Sequence, residues 1–251
     1  MSIHPTAIIE DGAQLGAGCV VHAHAIVSRH CVLGEAVVVH PFAVVGGDPQ
    51  DLRFDVATPT GVRIGARTVI REHVTIHRAT KADGWTDIGA DCYLMVGSHV
   101  AHDCRLGDRV IMANAVLLAG HVQIGEGAFI GGGATVHQFT RIGEGAMIGG
   151  AARMSRDVPP FSMTTERDEV VGLNVVGLRR RGLPKATVEE LKRAFREVNV
   201  PVGNMREIAA AALAGGSYTS PEAQRYLGFF AAGRRSFVRA RRAGAGQDQD
   251  D

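Results

Sequence analysis

The run Ile124-Gly125-Glu126-Gly127-Ala128-Phe129-Ile130-Gly131-Gly132-Gly133-Ala134-Thr135-Val136-His137-Gln138-Phe139-Thr140-Arg141-Ile142-Gly143 decides how this chain folds. Aliphatic residues stand six apart at Ile124, Ile130, Val136 and Ile142, and glycine often follows them. An α-helix repeats every ~3.6 residues and a half-buried strand every ~2, so neither produces this spacing. The same beat runs back through Ile3, Ile9, Leu15, Val21, Val27, Leu33, Val39 and Val45, resumes at Ile64, Ile70 and Ile76, and continues from Ile88 to Met154. A period of six with a small corner residue describes one short flat strand and one turn. Three such units close a triangular coil of about 18 residues. The sequence therefore predicts a mainly β fold, a hexapeptide-repeat parallel β-helix over residues 1–163. Inward side chains of successive coils stack at roughly 4.8 Å and fill the core with aliphatics alone.

That architecture accounts for the composition. The chain has 251 residues with 32 glycines and 11 histidines but only 5% aromatics, so its core makes little use of rings. A net charge of +1 supplies no global field for nucleic acid, and no nucleic-acid partner is expected. No apolar run reaches the roughly 18 residues of a membrane span, and Met1-Ser2-Ile3-His4-Pro5 lacks the features of a signal peptide. A cytoplasmic location is expected. Cys19, Cys31, Cys92 and Cys104 form no C-x-x-C pair. Each occupies the fifth position of its hexad, where a small buried residue is wanted, so a structural role is expected for all four.

The hexads break over 46–62 and 77–87, where turn formers such as Asp48-Pro49, Pro59-Thr60-Gly61 and Asp83-Gly84 mark loops extruded from the solenoid. Long loops in a compact repeat are more often functional than incidental. After Asp157-Val158-Pro159-Pro160 the pattern turns helical, and a small C-terminal α-helical domain is expected over 164–242. Thr187-Val188-Glu189-Glu190 reads as a capping box, Asn204 as a second cap, and Ser220-Pro221 as a cap followed by an N1 proline. Residues 243–251 are expected to be disordered.

All histidines precede residue 138, and His99, His102, His121 and His137 crowd the middle of the solenoid. One coil on from His102 falls at Gly120 beside His121. The next falls at Gln138 beside His137, so these side chains are expected to line one stripe. Such a column can hold a substrate hydroxyl, supply a general base near neutral pH, or bind a metal. Side chains spread over several coils converge poorly on one ion, so no metal is expected. There is no G-x-S-x-G, P-loop or dinucleotide fingerprint, and Cys104 sits at an inward position, which favours direct transfer with a histidine base. Arginines at 179–181 and at 234, 235, 239, 241 and 242 form either a solvated face or a docking surface for phosphates or an acidic protein.

Several of these segments resemble a known family. His99-Val100-Ala101-His102-Asp103-Cys104, Leu118-Ala119-Gly120-His121-Val122, Val136-His137-Gln138-Phe139, Arg71-Glu72-His73-Val74-Thr75-Ile76-His77-Arg78 and Gly177-Leu178-Arg179-Arg180-Arg181-Gly182 look like the UDP-N-acetylglucosamine O-acyltransferases of the hexapeptide-repeat class. The likeness runs from Ile3 to about Arg239.

The resemblance implies a left-handed coil, a homotrimer with sites between subunits, and the first step of lipid A synthesis. In that step a 3-hydroxyacyl group passes from acyl carrier protein to the 3-hydroxyl of UDP-N-acetylglucosamine. No cofactor is implied beyond the phosphopantetheine that carries the acyl donor. By the same resemblance His102 is the general base, Asp103 orients it, and the Gly120 N–H stabilises the oxyanion. His99, His121, His137 and Gln138 line the sugar and acyl groove. Asp51 and Arg53 lie on the sugar side, Asn174, Arg180 and Arg181 near the nucleotide, and Gly150 leaves room for a long acyl chain.

The chain departs from the family at three places. Arg53 stands for lysine, Val176 stands where a nucleoside-binding glutamate is expected, and Thr164-Thr165-Glu166-Arg167-Asp168-Glu169 replaces a glycine-asparagine segment. Competing readings are a hexapeptide transferase using another nucleotide sugar or an acyl-CoA donor, a zinc-dependent solenoid of the carbonic anhydrase kind, and a silent scaffold for carrier protein.

Overall fold

The computed structural model describes residues 1–240, so Arg241, Arg242 and the tail 243–251 lie outside it. Short strands fall into three sheets of 11, 8 and 7 strands, and the chain visits the three in turn. Strands pair in parallel one coil apart, as Ser2↔Val20, Ile8↔Ile26, Leu117↔Thr135 and Gln123↔Arg141 show. The spacing widens where Val38 pairs with Val69 and Val69 with Tyr93, across the two loops. This is the left-handed parallel β-helix that was expected.

Two inward positions per hexad make the core. The first holds the aliphatic column, buried from Val21 through Met154, and the second holds small residues such as Ala25, Ala43, Ala128 and Ala146 together with all four cysteines. Valine and isoleucine suit these flat strands because their branched side chains pack on the pleated surface. Each fully buried leucine or isoleucine contributes about 1.5–3 kcal/mol. Ile3 and Ile8, in the first coil, are exposed.

Both loops are shorter than expected, because strands Val44–Gly47, Gly61–Ile64, Thr75–His77 and Trp85–Ile88 extend into them. Backbone pairing between Gly61–Ile64 and Trp85–Ile88 continues the seven-stranded sheet right up to the loop roots.

The domain boundary at 164 needs correction. Strand Glu169–Leu173 pairs antiparallel with Ser162–Thr164, and Arg239–Ala240 then pairs beside it, so this stretch adds to the longest sheet. Helices begin only with α1 (Val175–Arg180), followed by α2 (Lys185–Asn199), α3 (Met205–Ala214) and α4 (Pro221–Gly228). Asn204 caps α3 and Ser220 caps α4, but Thr187 lies inside α2, whose N-cap is Pro184. Glu190, expected to complete a capping box, accepts instead from the Thr219 and Ser220 N–H groups at the entry to α4.

The buried aromatics gather against this domain, where Phe161 of the solenoid joins Tyr226, Phe230 and Phe237 in a second core. Arg225 and Arg181 bind Glu144 on the solenoid, and Arg141 pairs with the fully buried Asp157 at 2.8 Å.

Candidate active site

His102 and Asp103 form the corner between strands His99–Val100 and Arg105–Leu106. Asp103 adopts a left-handed backbone (φ 60°), and its N–H donates to Thr86 Oγ1 at 2.9 Å. Its Oδ2 receives the Thr80 N–H (3.1 Å), the Thr80 hydroxyl (2.7 Å) and His102 Nδ1 (2.8 Å). Burial pushes the Asp103 carboxyl up, but the hydrogen bonds from His102 and Thr80 outweigh it and hold the group at about 2. An ionised carboxylate can only accept, so His102 Nδ1 carries a proton toward it, and in the neutral ring Nε2 is the nitrogen that holds the lone pair.

One coil further on, Gly120 and His121 occupy the equivalent corner, as the period requires. The His121 N–H donates to the His102 carbonyl at 3.0 Å, its ring meets His102 edge-on at 5.2 Å, and its other neighbour is Phe139, stacked at 4.6 Å. His121 Nε2 lies 3.8 Å from Asp103 Oδ2. Burial lowers the His121 pKa, with the Asp103 charge opposing. The Gly120 N–H has no acceptor among the described residues. A Cβ at Gly120 would stand 2.5 Å from His102 Cε1 and 2.7 Å from Nε2, so only glycine leaves the imidazole its place.

On the eight-stranded face, Gln50, His77, His99, His102, Leu117 and Gly120 border a groove of about 540 Å³. His99 Nδ1 meets Thr75 Oγ1 at 2.7 Å, and His77 lies edge-on to it at 4.7 Å. Burial, then the His99 and His102 rings, lower the His77 pKa to about 4. Its Nδ1 is buried without a partner among the described residues. On the other side of the corner a cleft of about 680 Å³ lies among Lys81, Trp85, Asp103, Arg105, His121 and Arg234.

The other expected residues are placed unevenly. Asp51 pairs with Arg53 at 3.3 Å in the first loop, with Arg53 90% exposed, and the Arg53 backbone and side chain lower the Asp51 pKa. His137 carries a contact of its own, because its Nδ1 meets Arg235 Nη2 at 2.7 Å while the Gln138 carbonyl accepts Arg235 Nε at 2.8 Å. Gly150 sits at a corner where an added Cβ meets only Gly132 O, at 3.5 Å.

Asn174, Arg180 and Arg181 are not brought to His102 within one chain. Asn174 caps α1 and donates to Gly145 O, Arg181 bonds Glu144 and the carbonyls of Glu126 and Gly127, and Arg180 is exposed. Val176 is 59% exposed on α1. Burial pushes the Cys104 thiol up to about 12, consistent with packing rather than nucleophilic work.

Sequence reasoning missed Thr75, His77, Thr80 and Gln50, although three of them belong to the loops singled out as functional. It also underestimated convergence on an ion, since ligand atoms of His102, Asp103 and His121 lie within 4.8 Å of one another. Asp103 Oδ2 is nevertheless committed to two Thr80 donors and His102, which fits a hydrogen-bonded base better than a metal ligand.

Fold and site define a hexapeptide-repeat transferase, with an imidazole–carboxylate pair on a solenoid corner and a helical domain behind it. Residues 157–238 match the family model described as UDP N-acetylglucosamine O-acyltransferase, domain 2. A protein of Thermodesulfovibrio yellowstonii named acyl-[acyl-carrier-protein]–UDP-N-acetylglucosamine O-acyltransferase is 47% identical over 196 residues, spanning 77% of this chain and 76% of its own. One of the same name from Agrobacterium fabrum is 40% identical over 92% of each chain. The solved LpxA of Acinetobacter baumannii superposes with a TM-score of 0.89 at 33% identity, over 95% of this chain and all of its own (100%). The chain belongs to the UDP-N-acetylglucosamine O-acyltransferase family.

Proposed function

We propose that the protein moves a 3-hydroxyacyl chain from the thioester of acyl carrier protein to the 3-hydroxyl of UDP-N-acetylglucosamine, the first step of lipid A biosynthesis. The observation that supports this most directly is the locked His102. Asp103 fixes the proton on Nδ1, so Nε2 is free to accept one beside the unengaged Gly120 N–H. A sugar alcohol is scarcely ionised at neutral pH, so the base takes its proton as the oxygen attacks the thioester carbonyl. The C–O bond forms, and the carbonyl oxygen takes up negative charge against the Gly120 N–H. Collapse breaks the C–S bond, and the proton held on His102 passes to the departing thiolate.

His99, His77, Leu117 and Gln50 then border the acyl and sugar groove, with Gly150 leaving its far end open. Asn174, Arg180 and Arg181 act in this reading on the nucleotide in a neighbouring subunit's site, in a homotrimer. The reaction uses no metal, and no helix among the described residues is long and apolar enough to cross a membrane. A cytoplasmic enzyme fits that reading.

Acyl transfer from a panel of 3-hydroxyacyl carrier proteins to UDP-N-acetylglucosamine, followed by mass spectrometry, tests the proposal. The expected result is product from the wild type and a loss of roughly a hundredfold or more in His102→Ala. Equal activity in the variant would remove His102 from the base role. Transfer from acyl-CoA or to another nucleotide sugar alone would move the protein to a different hexapeptide acyltransferase activity.

A further inference from the structure

Arg78 is the largest fully buried side chain among the described residues, at 1% exposure, and nothing in the mechanism above uses it. It directly follows strand Thr75–His77, and its side chain is spent wholly on the first extruded loop. Nε donates to Asp48 Oδ1 (2.8 Å), Nη1 to the Thr58 carbonyl (2.8 Å) and Thr60 Oγ1 (3.2 Å), and Nη2 to the Val56 carbonyl (2.8 Å). The guanidinium also stacks on Phe54, 4.7 Å from the ring centroid, and the Arg78 N–H donates to Gly47 O at the loop's root.

Beyond Arg78, the loop is held by its own turns at Asp51 and Asp55 and by the Asp83 N–H on the Pro59 carbonyl. Leu52 is wholly exposed and Val56 largely so, which leaves the segment without an apolar core of its own. Backbone carbonyls turned inward with no ladder partner need a donor, and one planar fork supplies it to those of Val56 and Thr58 together. The same loop carries Gln50 to the rim of the His99–His102 groove and brings Asp51 within electrostatic reach of His102.

We propose that Arg78 is a positioning residue, a buried guanidinium that holds loop 48–60 so that Gln50 and Asp51 face the acceptor side of the His102 groove. This rests on the acyltransferase reading for its substrate, but the holding step itself does not. Lysine cannot replace the fork, since an ammonium on a flexible stem cannot reach Asp48, Val56, Thr58 and Thr60 together.

Two measurements on Arg78→Lys, Arg78→Gln and Arg78→Ala test the proposal. Hydrogen exchange should show amides of 48–60 exchanging at least about tenfold faster, the loss of one or more charged hydrogen bonds, while coils 88–154 keep wild-type protection. Unchanged loop exchange, or equal loosening of every coil, would overturn it. In the transfer assay the acceptor KM should rise about tenfold or more with the donor KM unmoved, and added methylguanidinium should restore it in Arg78→Ala. A fall in kcat alone, or full activity in Arg78→Lys, would mean that Arg78 only stabilises the fold. If the wild type transfers nothing to UDP-N-acetylglucosamine, the proposed function fails, and the exchange data still decide the role of Arg78.

Discussion

Gly120 carries two duties that conflict with any side chain. Its N–H is unengaged, and its Cα lies under the His102 ring, where a Cβ would meet Cε1 at 2.5 Å. Gly120→Ala should therefore fold with near wild-type thermal stability yet lose at least about tenfold in kcat, because the imidazole must swing off its line with Asp103. Thr80 acts one step further away. Its two donors help keep the Asp103 carboxyl at about 2, so Thr80→Val should move the acid limb of the pH–rate profile upward as the ionised form is lost sooner. Gly150 is free to change, since an added Cβ meets only one oxygen at an ordinary 3.5 Å. Gly150→Met should leave the fold intact and shift preference toward shorter 3-hydroxyacyl donors, read from competition between ten- and fourteen-carbon chains.

At the scale of elements, the period of six made the solenoid readable because every inward position repeats the same demand. A strand in this coil buries the same column as its neighbours above and below, so one hexad predicts the next. Leu118→Ala at such a position should cost about 2–5 kcal/mol in chemical denaturation. His102, Asp103, Gly120 and His121 were legible for the same reason, since adding one coil to a corner leads to the next corner.

The misses lie where the repeat stops constraining the chain. Thr80 and Gln50 reach the site through loops whose path depends on Arg78 and Asp103, contacts that no local pattern encodes. The Glu169–Leu173 strand was hidden because it is stabilised by an open sheet edge rather than by its own sequence, and Thr187 failed as a cap because Pro184 starts α2 three residues earlier. The partner of His137 was equally hidden, since Arg235 lies 98 positions later in the chain. Arg141 links the solenoid to the helical domain by donating to the Phe229 and Ala232 carbonyls while it pairs with Asp157 on its own side. Arg141→Ala removes the guanidinium from Asp157 at zero exposure, leaving it only the backbone N–H of residue 141, and should destabilise by about 3–5 kcal/mol.

Across the whole molecule, half-buried histidines contribute to the response to acid. His77 has a pKa near 4 against an ordinary 6.5, and burial also lowers His30, His40, His99 and His121. Between those values the unfolded chain binds more protons, so stability falls as pH drops below about 6.5 and recovers as it rises. Asp103 adds a loss of the same sign at lower pH, between its ordinary 3.8 and about 2. Thermal melts from pH 7.5 to 4.5 should trace this decline, and His77→Gln should flatten it.

Residues 75 to 80 add a constraint of another kind. Thr75 holds His99, His77 borders the groove, Arg78 grips the first loop and Thr80 anchors Asp103. Four residues within one six-residue stretch thus tie together the base, the groove and the first loop. The base cannot be retuned without disturbing the acceptor loop, and the loop cannot be redesigned without disturbing the base. Pairs of substitutions within this segment should be strongly epistatic, while each should combine additively with changes at distant corners such as Gly150. A lineage altering acceptor preference would find its freedom elsewhere, on the helical domain.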